Sequence, residues 1–330
     1  MSVDWSKEEQ VAIEAVRAAS RVCQAVQKQL VNANTIQKKD KSPVTVADFA
    51  SQAVVCAKLM EAFPNDPVVG EEDAAELREA DQASVLKIVT EHVRSGLGTA
   101  ATEEQVLTYI DRGGSKGYDP NKTKRFWTLD PIDGTKGFLR AEQYAVALAL
   151  IEDGRVVLGV LGCPNLPIDG GSGALMVARK GHGARVIALE STDMVGQPIH
   201  VTPGTDTSTA RFCESVESGH SDQGQSATIV KLLGITAEPV RMDSQAKYAT
   251  VARGDAQIYL RMPTKADYRE KIWDHAAGLL VVEEAGGKVT DITGKPLDFT
   301  QGRQLENNKG VVATSGAIHA KVIEAVGKVV

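Results

Sequence analysis

The chain has 330 residues, of which 42% are hydrophobic and 24% charged, and its formal net charge is −6. The length predicts two domains, and the composition is that of a water-soluble globular protein. The acidic balance excludes a broad electrostatic footprint for nucleic acid or for an anionic membrane surface. If the protein acts on an anionic substrate, metal ions or a few placed basic residues must offset the charge.

Four cysteines, Cys23, Cys56, Cys163 and Cys213, are far apart and form no Cys-x-x-Cys pair. This spacing argues against a structural zinc site or a disulfide framework and is typical of a reducing compartment, although a regulatory Cys163–Cys213 bridge stays open. The N-terminal residues lack the features of a signal or transit peptide, and no apolar run is long enough to span a membrane. We expect a cytoplasmic protein, or a plastid or mitochondrial one if a targeting segment was removed.

Two long helices are expected at the start of the chain. From Glu8 to Leu30 apolar residues recur every three or four positions, which predicts an amphipathic helix. A second helix is expected to open at Asp48 and to stop near Pro64. Thr102 followed by Gln105 has the spacing of a capping box and predicts a further helix.

The middle of the chain is rich in strands. Four apolar segments have the pattern of antiparallel strands, at residues 143–151, 155–161, 175–178 and 185–189. Asp153-Gly154 predicts a hairpin between the first two. Beyond a stretch rich in Pro, Gly and Thr at 198–209, strands and helices alternate, which predicts an α/β layer. We therefore divide the chain into an N-terminal α+β domain of residues 1–204 and a C-terminal α/β domain of residues 205–330.

The most informative stretch runs from Asp130 to Thr135 and reads Asp-Pro-Ile-Asp-Gly-Thr, directly after the predicted strand Phe126–Leu129. It places two carboxylates three residues apart where a strand ends and side chains can face a cleft. Acids this close repel each other unless a positive charge lies between them. Hard oxygen ligands of this kind suit Mg²⁺ better than zinc. The ordinary alternative is an Asp-Gly turn.

Further acids lie at the ends of predicted elements beside small residues. Asp48 lies at a loop-to-helix junction, Glu71 and Glu72 follow the strand Val68–Gly70, and Asp274 precedes a helix. Each one alone is explained as a helix N-cap or a solvated loop acid. Their joint occurrence favours a cluster of carboxylates over a lone turn.

The quoted motifs resemble those of the inositol monophosphatase superfamily of Mg²⁺-dependent, lithium-sensitive phosphatases. The resemblance covers nearly the whole chain and rests on residues 130–135, Gly70-Glu71-Glu72, Trp273-Asp274 and residues 284–287. Three stretches, at 129–140, 243–248 and 268–275, are similar to those of the 3′(2′),5′-bisphosphate nucleotidases, the plant-type enzymes most closely. The fold implied is of the α/β (α+β) class, a layered αβαβα sandwich.

The resemblance also implies a role for each site residue. The side chains of Glu71, Asp130, Asp133 and Asp274, with the carbonyl of Ile132, would hold two or three Mg²⁺ ions. Thr135 and Asp48 would orient the attacking water and accept its proton. The expected substrate contacts are Gly134, Thr135, His220, Ser244, Lys247, Arg261 and Asp274. Most metal ligands thus fall in residues 1–204, and substrate recognition, with Asp274, falls in residues 205–330.

The activity implied is hydrolysis of adenosine 3′,5′-bisphosphate (PAP), and of its sulfated form (PAPS), to AMP or adenosine phosphosulfate and phosphate, a reaction of sulfur metabolism. The alternatives are an inositol polyphosphate 1-phosphatase or inositol monophosphatase, and a catalytically silent nucleotide sensor. The segment from Ser244 to Tyr248 and Arg261 argue against a pure monophosphatase, which needs no extra positive charge. The water-orienting pair argues against a sensor. We expect a monomer that binds a small nucleotide, and neither nucleic acid nor membrane.

Overall fold

The computed structural model describes residues 4–33, 42–169, 171–216, 223–263, 265 and 267–330. The first sheet has seven strands in chain order, parallel between the first two and antiparallel elsewhere. Its strands are β1 (Val68–Gly70), β2 (Arg125–Asp133), β3 (Ala145–Glu152), β4 (Arg155–Ile168), β5 (Gly171–Arg179), β6 (Ala184–Ala188) and β7 (Gln197–Ile199). The accompanying helices are α1 (Ser6–Ala33), α2 (Ser42–Ala62), α3 (Ala83–Leu97), α4 (Glu103–Asp111) and α5 (Thr135–Leu139).

The second sheet has the strand order β11-β12-β10-β8-β9 and mixes parallel with antiparallel pairs. Its strands are β8 (Phe212–Glu214), β9 (Val240–Arg241), β10 (Ile258–Arg261), β11 (Lys288–Thr290) and β12 (Val311–Thr314). The helices of this half are α6 (Gln223–Leu232), α7 (Ala246–Ala252), α8 (Ala276–Glu284) and α9 (His319–Val326). None of the described helices combines the length and apolar character needed to cross a membrane.

The elements stack in five layers. Helices α1 and α2 cover one face of the first sheet, α7 and α8 lie between the two sheets, and α6 and α9 lie outside the second sheet. The expected αβαβα sandwich is therefore confirmed. The capping box at Thr102 and Gln105 and the Asp153-Gly154 hairpin are also present, with left-handed φ angles of 48° and 73° at the two turn residues.

Side-chain size along β3 explains how closely the middle helices approach the first sheet. Val146, Leu148 and Leu150 pack into the core under α1 and α2, whereas the intervening alanines pack toward α8. A Cβ on Gly159 of β4 would lie 2.7 Å from the Ala277 carbonyl oxygen, so only glycine allows this contact. Small residues thus bring the start of α8, next to Asp274, against the sheet.

Three details differ from the sequence-based assignment. Helix α2 begins at Ser42, so Asp48 lies inside the helix and does not open it. Pro43 is compatible with a first helical turn, where a backbone N–H has no partner anyway. Helix α3 and strand β11 were not expected, although Leu86, Val89 and Val93 of α3 are buried at helical spacing.

All four cysteine thiols are free and buried, so the structure contains no Cys163–Cys213 bridge. Cys163 lies on β4 and Cys213 on β8, in different sheets. Burial raises the pKa of Cys56, Cys163 and Cys213 to about 12. Since the thiolate is the reactive form, these thiols are suited to packing and not to redox chemistry.

Candidate active site

The two aspartates of the 130–135 stretch flank a bulge in β2. The strand continues through Asp130 to Asp133, beyond the end that the sequence suggested. Asp130 is opposite Ala147 and Asp133 opposite Ala145, so two residues of β2 face one residue of β3 between them. The Ser51 hydroxyl of α2 donates to the Pro131 carbonyl at 2.9 Å. A bulge of this kind redirects side chains, here both aspartates toward one cavity.

Gly134 and Thr135 form the start of the short helix α5. Gly134 has a left-handed φ of 88°, and a Cβ on it would lie 2.8 Å from the Cβ of Ser244. Both features require glycine at this position. Thr135 is exposed and lines the same cavity as the aspartates.

Glu71 is held by a turn that depends on a buried glutamine. Gln52 of α2 donates from Nε2 to the carbonyls of Glu72 at 2.6 Å and Ile110 at 2.8 Å, and its Oε1 accepts from the Glu72 N–H at 3.1 Å. A Cβ on Gly70 would lie 2.5 Å from Gln52 Oε1. Sequence reasoning did not find Gln52, because a single glutamine inside a helix carries no motif.

Gln245 joins the two halves of the chain at the site. Its backbone N–H donates to Asp133 Oδ2 at 2.6 Å, and its side-chain Nε2 donates to the Trp273 carbonyl at 2.9 Å. Its Oε1 accepts from the Gly278 N–H at 3.3 Å. The preceding residue, Ser244, has a left-handed φ of 69°. This conformation is strained for residues other than glycine, and such strained residues cluster at functional sites. Asp133 and the segment around Asp274 are therefore positioned by one residue.

The second half contributes cationic side chains. Lys247 is 3% exposed, with its Nζ 3.4 Å from the Met242 carbonyl oxygen and 5.2 Å from the centre of the Tyr259 ring. Burial lowers the pKa of Lys247. Arg261 Nε donates to Glu270 Oε1 at 3.3 Å. Burial alone would lower the pKa of Arg261, but Glu270 more than offsets this and raises it.

These side chains surround a cavity of about 270 Å³. All the site residues expected from the sequence line this cavity, except Asp48 and His220. They are Glu71, Asp130, Ile132, Asp133, Gly134, Thr135, Ser244, Lys247, Arg261 and Asp274. Asp48 is buried behind this lining on α2, near enough to Glu72 and Glu71 for their charges to act on it. His220 lies outside the described residues. The cavity also contacts Lys136, Asp243, Tyr259 and His275, which were not expected.

The carboxylates destabilise one another's charged forms. Burial, then Glu71 and Asp133, raise the pKa of Asp130 well above its ordinary value, and burial, then Glu72 and Glu71, do the same for Asp48. Burial and the charges of Glu72 and Asp133 raise the pKa of Glu71 to about 7. Burial, with Asp133 contributing, raises the pKa of Asp274 to about 7, against the opposing effect of His275.

One carboxylate oxygen of this cluster is unsatisfied. Within the described part of the chain, Asp130 Oδ1 is buried and has no hydrogen-bond partner. An orphan carboxylate oxygen among other acids costs free energy unless a cation binds there. The donor set consists of oxygen atoms alone, which is the preference of Mg²⁺. The residues present therefore fit a divalent cation.

A second acidic group is less suited to a metal. Ligand atoms of Glu270, Asp274 and His275 lie within 4.8 Å of one another. However, His275 Nδ1 lies 2.7 Å from the Tyr248 hydroxyl and Nε2 lies 3.1 Å from Glu270 Oε2. Because both ring nitrogens are occupied, this group is a hydrogen-bonded network that orients Arg261 through Glu270.

Known proteins resemble this chain over nearly its whole length. The pattern described as the inositol monophosphatase family matches residues 4–330. A 3′(2′),5′-bisphosphate nucleotidase of Schizosaccharomyces pombe is 48% identical, over 99% of this chain and 97% of the relative. A protein of the same name from Oryza sativa is 46% identical, over 98% of this chain and 94% of the relative.

One solved structure is similar to this chain and supports its fold, but not its activity. An inositol monophosphatase from Anabaena (Nostoc) is 21% identical, with a TM-score of 0.64, over 99% of this chain and 98% of that one. Since the family pattern spans almost every residue and the curated relatives align from end to end, this chain is an enzyme that belongs to the inositol monophosphatase family of metal-dependent phosphatases.

Proposed function

We propose that this protein is a Mg²⁺-dependent 3′(2′),5′-bisphosphate nucleotidase that removes the 3′-phosphate from adenosine 3′,5′-bisphosphate. The observation that carries the proposal is one cavity that combines a carboxylate cluster with two cations, the buried Lys247 and the partly buried Arg261. A substrate with two phosphates needs both features, one for the reacting phosphate and one for the other. The names of the relatives that match nearly the full chain support this choice.

The carboxylate side of the cavity is assigned to two or three Mg²⁺ ions. We assign Glu71, Asp130, Asp133, Asp274 and the Ile132 carbonyl as their ligands, all of which line the cavity. Bound Mg²⁺ would neutralise the phosphate, activate water and stabilise the leaving oxygen. Most of these ligands belong to residues 1–204, and Asp274 is contributed by residues 205–330, as in the proposed domain division.

Thr135 and Asp48 are assigned to the attacking water. Thr135, at the start of α5, is exposed and lines the cavity, where its hydroxyl would orient a water. Burial raises the pKa of Asp48, which makes its carboxylate a stronger base than that of an ordinary aspartate. Because water attacks directly, no residue of the chain needs to carry the phosphoryl group.

The other end of the substrate is assigned to the second half of the chain. Among the described residues, the ammonium of the buried Lys247 makes a long hydrogen bond to a carbonyl, lies over a ring face and forms no ion pair, so its charge is available. Arg261 is held at Nε by Glu270 and also interacts with the Tyr268 hydroxyl, and we assign the rest of its planar fork to the substrate. Gly134, Ser244, Asp274 and His220 complete the proposed contacts, His220 from the sequence resemblance alone.

The proposal is tested by measuring phosphate release from adenosine 3′,5′-bisphosphate, inositol 1,4-bisphosphate and inositol 1-phosphate, with Mg²⁺ and with excess chelator. We expect the highest kcat/KM for the nucleotide and no turnover in chelator. A preference for inositol 1,4-bisphosphate would establish the inositol polyphosphate alternative. Binding of the nucleotide without turnover would indicate a sensor.

Replacing Lys247 with methionine is expected to lower activity on the nucleotide much more than activity on an inositol monophosphate. The change keeps most of the side-chain volume against Tyr259 and removes the charge. Loss of one charge-assisted contact costs about 1.5–3 kcal/mol, or roughly ten- to a hundredfold in kcat/KM for the nucleotide. Activity on inositol 1-phosphate should change much less, and Lys231→Met, on the exposed face of α6, should affect neither substrate. An equal fall for both substrates would mean that Lys247 is structural.

A further inference from the structure

Arg303 reaches from the C-terminal half of the chain to the strand end that carries Glu71. Its Nη2 donates to the Gly70 carbonyl at 2.5 Å, and its Nη1 donates to the carbonyls of Ser115 at 2.9 Å and Gly113 at 3.2 Å. Gly70 is the residue before Glu71, and its N–H in turn donates to the Gly113 carbonyl at 2.8 Å. One guanidinium therefore fixes the loop end from which Glu71 projects.

The backbone around Arg303 is bound to the segment that leads to Asp274. The Arg303 carbonyl accepts from the Ile272 N–H at 3.2 Å, and the Leu305 N–H donates to the Glu270 carbonyl at 2.9 Å. The Arg303 guanidinium also lies 4.8 Å from the centre of the Trp273 ring, a cation–π contact. Arg303 thus contacts the residue before each of two proposed metal ligands, one from each half of the chain.

The charge of Arg303 is well placed for this role. Its hydrogen-bond partners are carbonyls, and in the part of the chain that the structure describes it forms no ion pair. Its positive charge acts on Asp73 and on Glu71, and it opposes part of the rise in the pKa of Glu71. A fixed cation behind the cluster offsets part of the carboxylate repulsion, and its planar fork sets the spacing of the two segments.

We propose that Arg303 is a positioning residue of the metal centre, which holds Glu71 and Asp274 at the separation that Mg²⁺ binding requires. The inference rests on the proposed metal site, but it concerns a residue outside the cavity. Loss of a group that orients metal ligands typically weakens metal affinity by about 10- to 100-fold. A lysine could keep the charge but could not reach three carbonyls with one planar fork.

The test is calorimetric titration of Mg²⁺ into the metal-free protein without nucleotide. We expect about 10-fold or greater weakening in Arg303→Met and a smaller loss in Arg303→Lys. The matched control is Arg125→Met, because Arg125 also joins three segments, by ion pairs with Glu8, Asp66 and Glu152 at 2.8, 3.0 and 3.2 Å, but lies away from the cavity. Arg125→Met should lower the melting temperature and leave the Mg²⁺ affinity unchanged.

A second readout distinguishes positioning from folding. In Arg303→Met the Mg²⁺ concentration for half-maximal rate should rise, and excess Mg²⁺ should restore most of kcat with little change in nucleotide KM. Wild-type Mg²⁺ affinity in both Arg303 variants would overturn the inference and leave the proposed function intact. If Arg303→Met does not fold, the result for Arg303→Lys decides. Absence of Mg²⁺ binding in the wild type would overturn the proposed function itself, and this inference with it.

Discussion

Asp133→Asn is expected to lower kcat by about a thousandfold or more at saturating Mg²⁺ and nucleotide. Asparagine keeps an oxygen that can accept the Gln245 N–H but removes one negative charge from the cluster. The fold should therefore persist while the proposed ligand set becomes weaker. Steady-state phosphate release by the purified variant, with its melting temperature as a check on folding, gives the result.

The matched control is Asp153→Asn in the β3–β4 turn. Asp153 has a left-handed φ of 48°, a conformation that asparagine also tolerates. This variant should keep wild-type turnover. Near-normal kcat in Asp133→Asn would remove Asp133 from the proposed metal ligands.

Asp130→Asn is expected to make the metal-free protein more stable although it makes the enzyme inactive. Asp130 is 2% exposed, and burial followed by the charges of Glu71 and Asp133 raises its pKa. A neutral amide removes this buried charge. In chelator at neutral pH the melting temperature should rise by about 2–5 °C. Added Mg²⁺ should reverse the order, because it stabilises only the protein that binds it well.

The pH dependence of this effect has a definite sign. A carboxyl whose pKa is raised on folding binds protons more tightly in the folded state, so stability falls as pH rises from the ordinary value toward the folded value. For Glu71 this window runs from pH 4.5, its ordinary pKa, to about pH 7, and for Asp274 it runs from pH 3.8 to about pH 7. Calorimetric melting in chelator should therefore show wild-type stability decreasing across this range and a smaller decrease in Asp130→Asn. A lower melting temperature for the variant at neutral pH would show that Asp130 is not under repulsion.

The grouping of the acids could be predicted from the sequence because each acid follows or precedes a recognisable element. Asp130, Glu71 and Asp274 all stand beside a strand or helix end, and the structure brings them to one cavity. Their roles as metal ligands remain a prediction. The predicted start of α2 at Asp48 is wrong, because Pro43, which is typical of a loop, lies in the first turn of the helix, and Asp48 is therefore inside it.

The residues that hold the acids in place could not be predicted in the same way. Gln52, Gln245 and Arg303 act on backbone carbonyls and amides of segments far away in sequence. Such contacts require no particular residue type at the other end, so they leave no pattern in a single chain. The left-handed φ of Ser244 is equally invisible, because serine does not favour this conformation and no local pattern predicts it.

The most direct measurement of the central claim is product analysis after reaction of adenosine 3′,5′-bisphosphate in ¹⁸O-labelled water. With Mg²⁺ present, the proposed chemistry predicts AMP as the nucleotide product and ¹⁸O in the released phosphate. In excess chelator it predicts neither AMP nor labelled phosphate. Formation of adenosine 3′-phosphate, label in the nucleoside hydroxyl, or undiminished turnover in chelator would contradict it.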